Sequence, residues 1–169
     1  LTIINANPAI LTLVLNSTNI SSNNTEVNLT AYATTSDADS DSVKVIYNWL
    51  RNGTSIALLN MPFEGINGTA SNNAKDYSGG ARNASEKGNV FWNATGGYDG
   101  KGAYKFDGAD DFLSGDLPPT AANENITITV WVKPDSFSTS PAVIRKGKTG
   151  NCFGHGMGIT AGRLRKDNF

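Results

Sequence analysis

Hydrophobic residues in this chain recur at alternate positions and nowhere at convincing helical spacing, so its fold must be built from strands. Residues 26–33 set Val27, Leu29 and Ala31 against Asn28, Thr30 and Tyr32. Residues 43–50 set Val43, Val45, Tyr47 and Trp49 against Lys44, Ile46 and Asn48. The clearest strand covers residues 125–133, with Ile126, Ile128, Val130 and Val132 on one face and Thr127, Thr129 and Trp131 on the other. Trp131 is expected there as a core or inter-sheet anchor. Residues 10–15 add a short apolar run, and clusters such as Ser78-Gly79-Gly80 and Gly96-Gly97-Tyr98-Asp99-Gly100 supply turns. Many short strands joined by such turns predict an all-β chain, an antiparallel β-sandwich.

The polarity that solvates these strands is mostly uncharged. Only 17% of the 169 residues are charged, whereas Asn, Ser and Thr number 20, 14 and 16. Fourteen basic residues against fifteen acidic ones leave no net field to attract nucleic acid or an anionic membrane. No apolar run approaches the ~20 residues of a membrane span. The single cysteine, Cys152, has no internal disulfide partner, so stability must come from packing, ions or glycans.

Asn-x-Ser/Thr occurs at Asn16, Asn19, Asn23, Asn28, Asn52, Asn67, Asn83, Asn93 and Asn125. This composition would produce about 3.5 such tripeptides by chance, so the excess points to N-glycosylation and an extracellular or cell-surface location. It also favours an archaeal, eukaryotic or viral source. The absence of an initiating Met and of a signal-like start leads us to expect an excised piece of something larger.

Composition shifts near residues 58–62, after which glycine and aromatic residues increase. We therefore expect a small β module over residues 1–58 and a second domain over residues 59–169. Within the first, Asp37, Asp39 and Asp41 place three carboxylates at alternate positions, a pattern that suits a hard, oxygen-seeking cation such as Ca²⁺ or a solvated acidic turn. It is not an EF-hand: Ser42 and Asn48 stand where that loop requires Gly and Glu. Cys152 and His155 offer too few ligands for zinc and no third group for a nucleophilic pair. Phe91, Trp92, Tyr98, Phe137 and Phe153 lie in turn-rich stretches and could stack on sugars or pack inside.

The second segment carries Met61-Pro62-Phe63-Glu64-Gly65, Asp76-Tyr77-Ser78-Gly79 and Gly97-Tyr98-Asp99-Gly100-Lys101-Gly102. Ala103-Tyr104-Lys105-Phe106-Asp107-Gly108-Ala109-Asp110-Asp111-Phe112-Leu113 follows, then Ile126-Thr127-Ile128-Thr129-Val130-Trp131-Val132-Lys133-Pro134 and Val143-Ile144-Arg145-Lys146-Gly147. These residues resemble the laminin G-like branch of the concanavalin A-like lectin/glucanase family. The resemblance implies a jelly roll, here expected to be C-terminally truncated. The first segment, through residues 37–43, Tyr47-Asn48-Trp49 and Arg51-Asn52-Gly53-Thr54, is similar to Ig-like, cadherin-like or PKD-type modules. That tandem order matches some archaeal surface proteins.

By the same resemblance, Asp107, Asp110 and Asp111, with Asn151 nearby, would hold calcium near a ligand-binding rim; otherwise Asp107 caps a turn and the rest face water. Catalytic relatives carry Glu-x-Asp-x-(x)-Glu on one strand, whereas Glu26, Glu64, Glu86 and Glu124 stand isolated, so no catalytic residue is expected. The expected function is a non-catalytic adhesion or carbohydrate-binding module, assisted by Ca²⁺, whose partner is a glycan or a cell-surface protein. The alternative is a structural subunit of an extracellular filament or surface layer, assembled by strand exchange through residues 9–15.

Overall fold

A computed structural model describes residues 5–19, 21, 26–65, 73–116, 127–135, 142–145, 155–160 and 163–168. Among the described residues there is no helix, and every strand pairing is antiparallel. The all-β expectation is met. The chain divides into two units, Leu1–Trp49 and Leu50–Phe169, a little ahead of the composition shift.

The first unit contains one long hairpin, β1 (Ala9–Ser17) paired with β2 (Leu29–Ser36). Period-2 alternation sorts its side chains. Leu13 and Leu15 stand on one face with their partners Ala33 and Ala31, while Val14 and Asn16 share the other with Tyr32 and Thr30. Thr12 and Thr34 join across the strands through their hydroxyls at 2.6 Å. Such cross-strand pairs contribute roughly 0.2–1 kcal/mol each. A register shift between Ile10 and Thr12 marks a bulge.

Residues 9–15 therefore pair within their own chain, which removes the main support for donating them to a neighbour. Their apolar side chains stay open to solvent all the same, Leu13 at 65%. The strand expected over residues 43–50 does not form: residues 41–49 make no ladder, and only Leu50 enters a strand. The stretch is tied instead by a side chain, since the Ala33 N–H donates to the Tyr47 hydroxyl at 3.2 Å.

The second unit opens with a minimal hairpin, β3 (Leu50–Arg51) and β4 (Thr54–Ser55). Asn52 and Gly53 between them both have positive φ, the conformation of a two-residue type I′ turn for which Asn-Gly is the preferred sequence. Next come β5 (Asn73–Ala74), β6 (Ala84–Lys87), β7 (Phe91–Asn93), β8 (Ala103–Lys105) and β9 (Phe112–Ser114). Strands β5, β6 and β9 form one sheet in that order, and β7 pairs with β8. A further sheet joins β10 (Ala142–Arg145), β11 (His155–Thr160) and β12 (Arg163–Asn168).

Among the described residues the best-buried point is the β5–β6 pair, where Ala74 lies opposite Ala84 and both are buried. Beside it, Trp92 pairs with Tyr104 across β7–β8, and the Tyr104 ring meets Phe63 edge-on at 5.1 Å between centroids. One expectation fails here. Residues 127–133 form no ladder, and Trp131 is 76% exposed rather than a core anchor. Alternation marks a segment that can be a strand, but a strand also needs a hydrogen-bonded neighbour, and none flanks this one among the described residues.

Candidate functional site

Four aspartates organise the loops of the second unit, Asp76 by itself and Asp107, Asp110 and Asp111 together. Asp76 is a buried hub at 6% exposure. Its Oδ1 accepts the N–H groups of Asn60 (3.0 Å) and Ser78 (2.9 Å), and its Oδ2 accepts the Ser78 hydroxyl (2.7 Å) and the Arg82 N–H (3.1 Å). Its own N–H donates to Asn83 Oδ1, and Tyr77 N–H donates to the Asn60 carbonyl. Burial works against the charge, but the donors from Asn60, Ser78 and Arg82 outweigh it and hold the carboxyl below the usual carboxylate range. The sequence signal was present in Asp76-Tyr77-Ser78-Gly79, where Asp two residues before Ser favours a side-chain-closed turn. It did not reveal the partner at Asn60.

Asp107, Asp110 and Asp111 lie in the turn between β8 and β9, each offering a carboxylate oxygen within 4.8 Å of the others. Their chain enters that turn through Gly108, whose φ is +81°. Asp111 Oδ2 accepts the Asp107 N–H (2.8 Å), Asp107 Oδ1 accepts the Ala109 N–H (2.8 Å), and Asp111 Oδ1 takes the Asn89 N–H from the β6–β7 turn. Asp111 thus clamps two turns together. Gly88 makes room for it, since a Cβ there would overlap the Asp111 carboxylate.

In the first unit Asp37, Asp39 and Asp41 show the same arrangement, again with one oxygen each inside 4.8 Å. Asp37 Oδ1 accepts the N–H groups of Asp39 (2.9 Å) and Asp41 (3.2 Å), and Ser40 turns the chain with φ +63°. Asp39 Oδ2 holds the Ala6 N–H. Each triad presents three hard oxygen donors to one point, about half of the six to eight that Ca²⁺ takes; water and carbonyls would supply the rest. Asn151, expected near the second triad, and Cys152 lie outside the described residues; of His155 only its position in β11 is described.

The Met61–Gly65 stretch docks onto β7–β8 by three contacts. Trp92 Nε1 donates to the Phe63 carbonyl (2.8 Å), Gly102 N–H donates to Glu64 Oε2 (3.2 Å), and Phe63 packs on Tyr104. Gly102 is buried where any Cβ would collide with the Phe63 carbonyl. The Tyr104 hydroxyl and Glu86 Oε1 are shielded from water without a hydrogen bond of full geometry to either. Burial, then the neighbouring Glu86 carboxylate, pushes the Tyr104 phenol above the ordinary tyrosine range.

Of the glycosylation candidates, Asn16, Asn19, Asn28, Asn52 and Asn93 are exposed, and Asn83 is half-buried with its carbonyl fixed on Asp76. Asn23, Asn67 and Asn125 lie outside the described residues. Among the aromatic candidates Phe91 and Tyr98 are exposed, and Trp92 is half-buried; Phe137 and Phe153 lie outside the described residues. Sequence reasoning separated Tyr98 from Trp131, yet the two rings stack at 4.6 Å with 7° between planes.

No protein family, curated protein or solved structure matches this chain.

Proposed function

We propose that this chain is a non-catalytic, calcium-assisted adhesion or carbohydrate-binding module of a glycosylated cell-surface protein. In this reading residues 59–169 are a laminin G-like jelly roll, and the first unit is an Ig-like or PKD-type module. The observation that carries it is the convergence of carboxylates at Asp37/Asp39/Asp41 and again at Asp107/Asp110/Asp111. Three like charges so close repel one another, at roughly 1 kcal/mol per pair in bulk water and more near a protein surface. A divalent cation turns that repulsion into attraction and fixes the loops that display a ligand. Asp107 Oδ2 and the Asp110 carboxylate would be the principal ligands in the second triad, because both Asp111 oxygens already hold N–H groups. Exposed asparagines at 16, 19, 28, 52 and 93 fit a glycosylated extracellular surface.

The test is isothermal calorimetry with CaCl₂, repeated on Asp110→Asn. The reading expects saturable binding that the substitution weakens; the absence of calcium heat in the unaltered chain would count against it. A second reading, a subunit of a filament or surface layer, is favoured by the apolar side chains open on β1. A monomeric mass across a concentration series in analytical ultracentrifugation would dismiss it.

A further inference from the structure

Two of the Asn-x-Ser/Thr tripeptides in the second unit are treated oppositely by the fold. Asn93-Ala94-Thr95 runs from the end of β7 into the glycine-rich turn, and all three residues are exposed. The Thr95 N–H donates to Asn93 Oδ1 at 3.0 Å, and the Thr95 hydroxyl donates to the same oxygen at 3.3 Å. This side-chain-closed turn brings the asparagine amide and the threonine hydroxyl, the two groups that define the motif, to one place on the surface. A Cβ at Gly96 would stand 3.0 Å from Asn93 Nδ2, so the glycine leaves the space beside that nitrogen free.

Asn83-Ala84-Ser85 instead enters β6, the middle strand of its sheet, where Ser85 lies between Asn73 and Ser114. Ala84 is buried, and Asn83 Oδ1 accepts the Asp76 N–H at 3.0 Å. A Cβ at Gly115 would press on Ala84 and on the Asn83 carbonyl, so another stretch of chain lies directly against the tripeptide. A transferase must surround the tripeptide it modifies, and it meets this one only when the sheet opens locally. We propose that Asn93 is a site of N-glycosylation in the folded chain and that the fold closes Asn83 to the same reaction. Asn93 Nδ2 attacks the anomeric carbon of a lipid-linked saccharide phosphate and forms a nitrogen–carbon bond. The bond from that carbon to the phosphate oxygen breaks, and the lipid phosphate leaves with its electron pair. Nδ2 gives up one proton to a base of the transferase. This rests on the glycosylated-surface reading above and adds to it which motif carries the glycan.

The experiment takes the whole chain from a host that does not glycosylate and incubates it with a single-subunit oligosaccharyltransferase and a lipid-linked saccharide. Mass spectrometry of glycopeptides reads occupancy at each site. Synthetic peptides of residues 78–90 and 88–100 supply the same tripeptides without the fold, and each site's occupancy is divided by that of its peptide, which removes the difference between Ser and Thr motifs. The expected ratio is about tenfold or more lower at Asn83 than at Asn93. Gly96→Ala, which leaves the motif intact, should lower Asn93 occupancy in the folded chain and not in its peptide. Equal ratios at Asn83 and Asn93 overturn the partition, as does an Asn93 modified in its peptide and untouched in the chain. An unchanged Gly96→Ala chain overturns the part given to Gly96. Failure at every motif, in chain and peptides alike, overturns the glycosylated-surface reading as well.

Discussion

The Asp76 carboxylate accepts the backbone N–H of Asn60, sixteen residues earlier, at 3.0 Å, and so joins the strand-poor stretch before β5 to the turn that leads into β6. Four donors converge on its two oxygens. Replacing it with Ala leaves those donors without their acceptor in a buried place, and such orphaned groups cost about 1–3 kcal/mol each. Asp76→Ala should therefore be among the most destabilising single changes in the second unit, at about 3 kcal/mol or more. Asp76→Asn keeps one acceptor oxygen and should cost less. Urea unfolding of the two variants checks this; equal midpoints for Asp76→Ala and the unaltered chain would show that the hub contributes nothing.

The same group sets an acid limit. Its native pKa lies below the ordinary value of 3.8, so its contribution to stability is complete above that value. It is lost as pH falls from there through the lowered native pKa, because below it both folded and unfolded states bind the proton. Unfolding free energy should drop on acidification below about pH 4, and the drop should shrink in Asp76→Asn. Chemical denaturation at a series of pH values reads both.

Tyr104 sets the corresponding alkaline limit with opposite sign. Its folded pKa is raised, so its contribution is present below the ordinary phenol value of 10.0 and is lost as pH climbs beyond it. Glu86→Gln removes the adjacent charge and should bring the Tyr104 ionisation closer to the ordinary phenol value. Absorbance titration near 295 nm follows it. An unchanged titration curve in the variant would mean that Glu86 plays no part.

Gly102 is required by contact and Gly53 by conformation, and the two should differ on substitution. A Cβ at Gly102 collides with the Phe63 carbonyl, which accepts the Trp92 indole N–H, so Gly102→Ala should cost about 2–3 kcal/mol. Gly53 has open space around it but φ +78°, so Gly53→Ala should cost only about 1 kcal/mol. Thermal unfolding ranks them; the reverse order would place the strain wrongly.

What the sequence made legible was chemistry that acts within a few residues. Alternation over residues 26–33 anticipated β2, and the short apolar run over residues 10–15 falls within β1. Both acidic triads were visible in the sequence, Asp37, Asp39 and Asp41 by their alternate spacing and Asp107, Asp110 and Asp111 as a cluster singled out by resemblance. Long-range relations were not legible. Nothing local in residues 127–133 says whether a partner strand exists, so their alternation suggested a buried strand and Trp131 emerged in solvent. Nor does the turn motif at Asp76 disclose that Asn60 will be its partner. The Tyr98–Trp131 stack joins residues 33 apart, and pairing at that distance leaves no periodic trace.

Asp110 and Asp111 separate metal binding from loop structure. Asp111 holds the Asn89 and Asp107 N–H groups, whereas among the described residues no N–H group is held by Asp110 in this way. Asp111→Ala should thus lower stability in chelator and in calcium alike, by about 1–3 kcal/mol. Asp110→Asn removes like-charge repulsion, so it should not lower stability in chelator and should reduce the gain from calcium. If Asp110→Asn lowered stability in chelator as much as Asp111→Ala, this division of work would be wrong.

The central claim, a calcium-assisted binding module, is tested most directly by the thermal midpoint in excess CaCl₂ against the midpoint in chelator. An ion that binds only the folded chain stabilises it by about 2.7 kcal/mol at a hundredfold excess over Kd. The account predicts a rise of several degrees in calcium that Asp110→Asn reduces. Identical midpoints in calcium and chelator would contradict it.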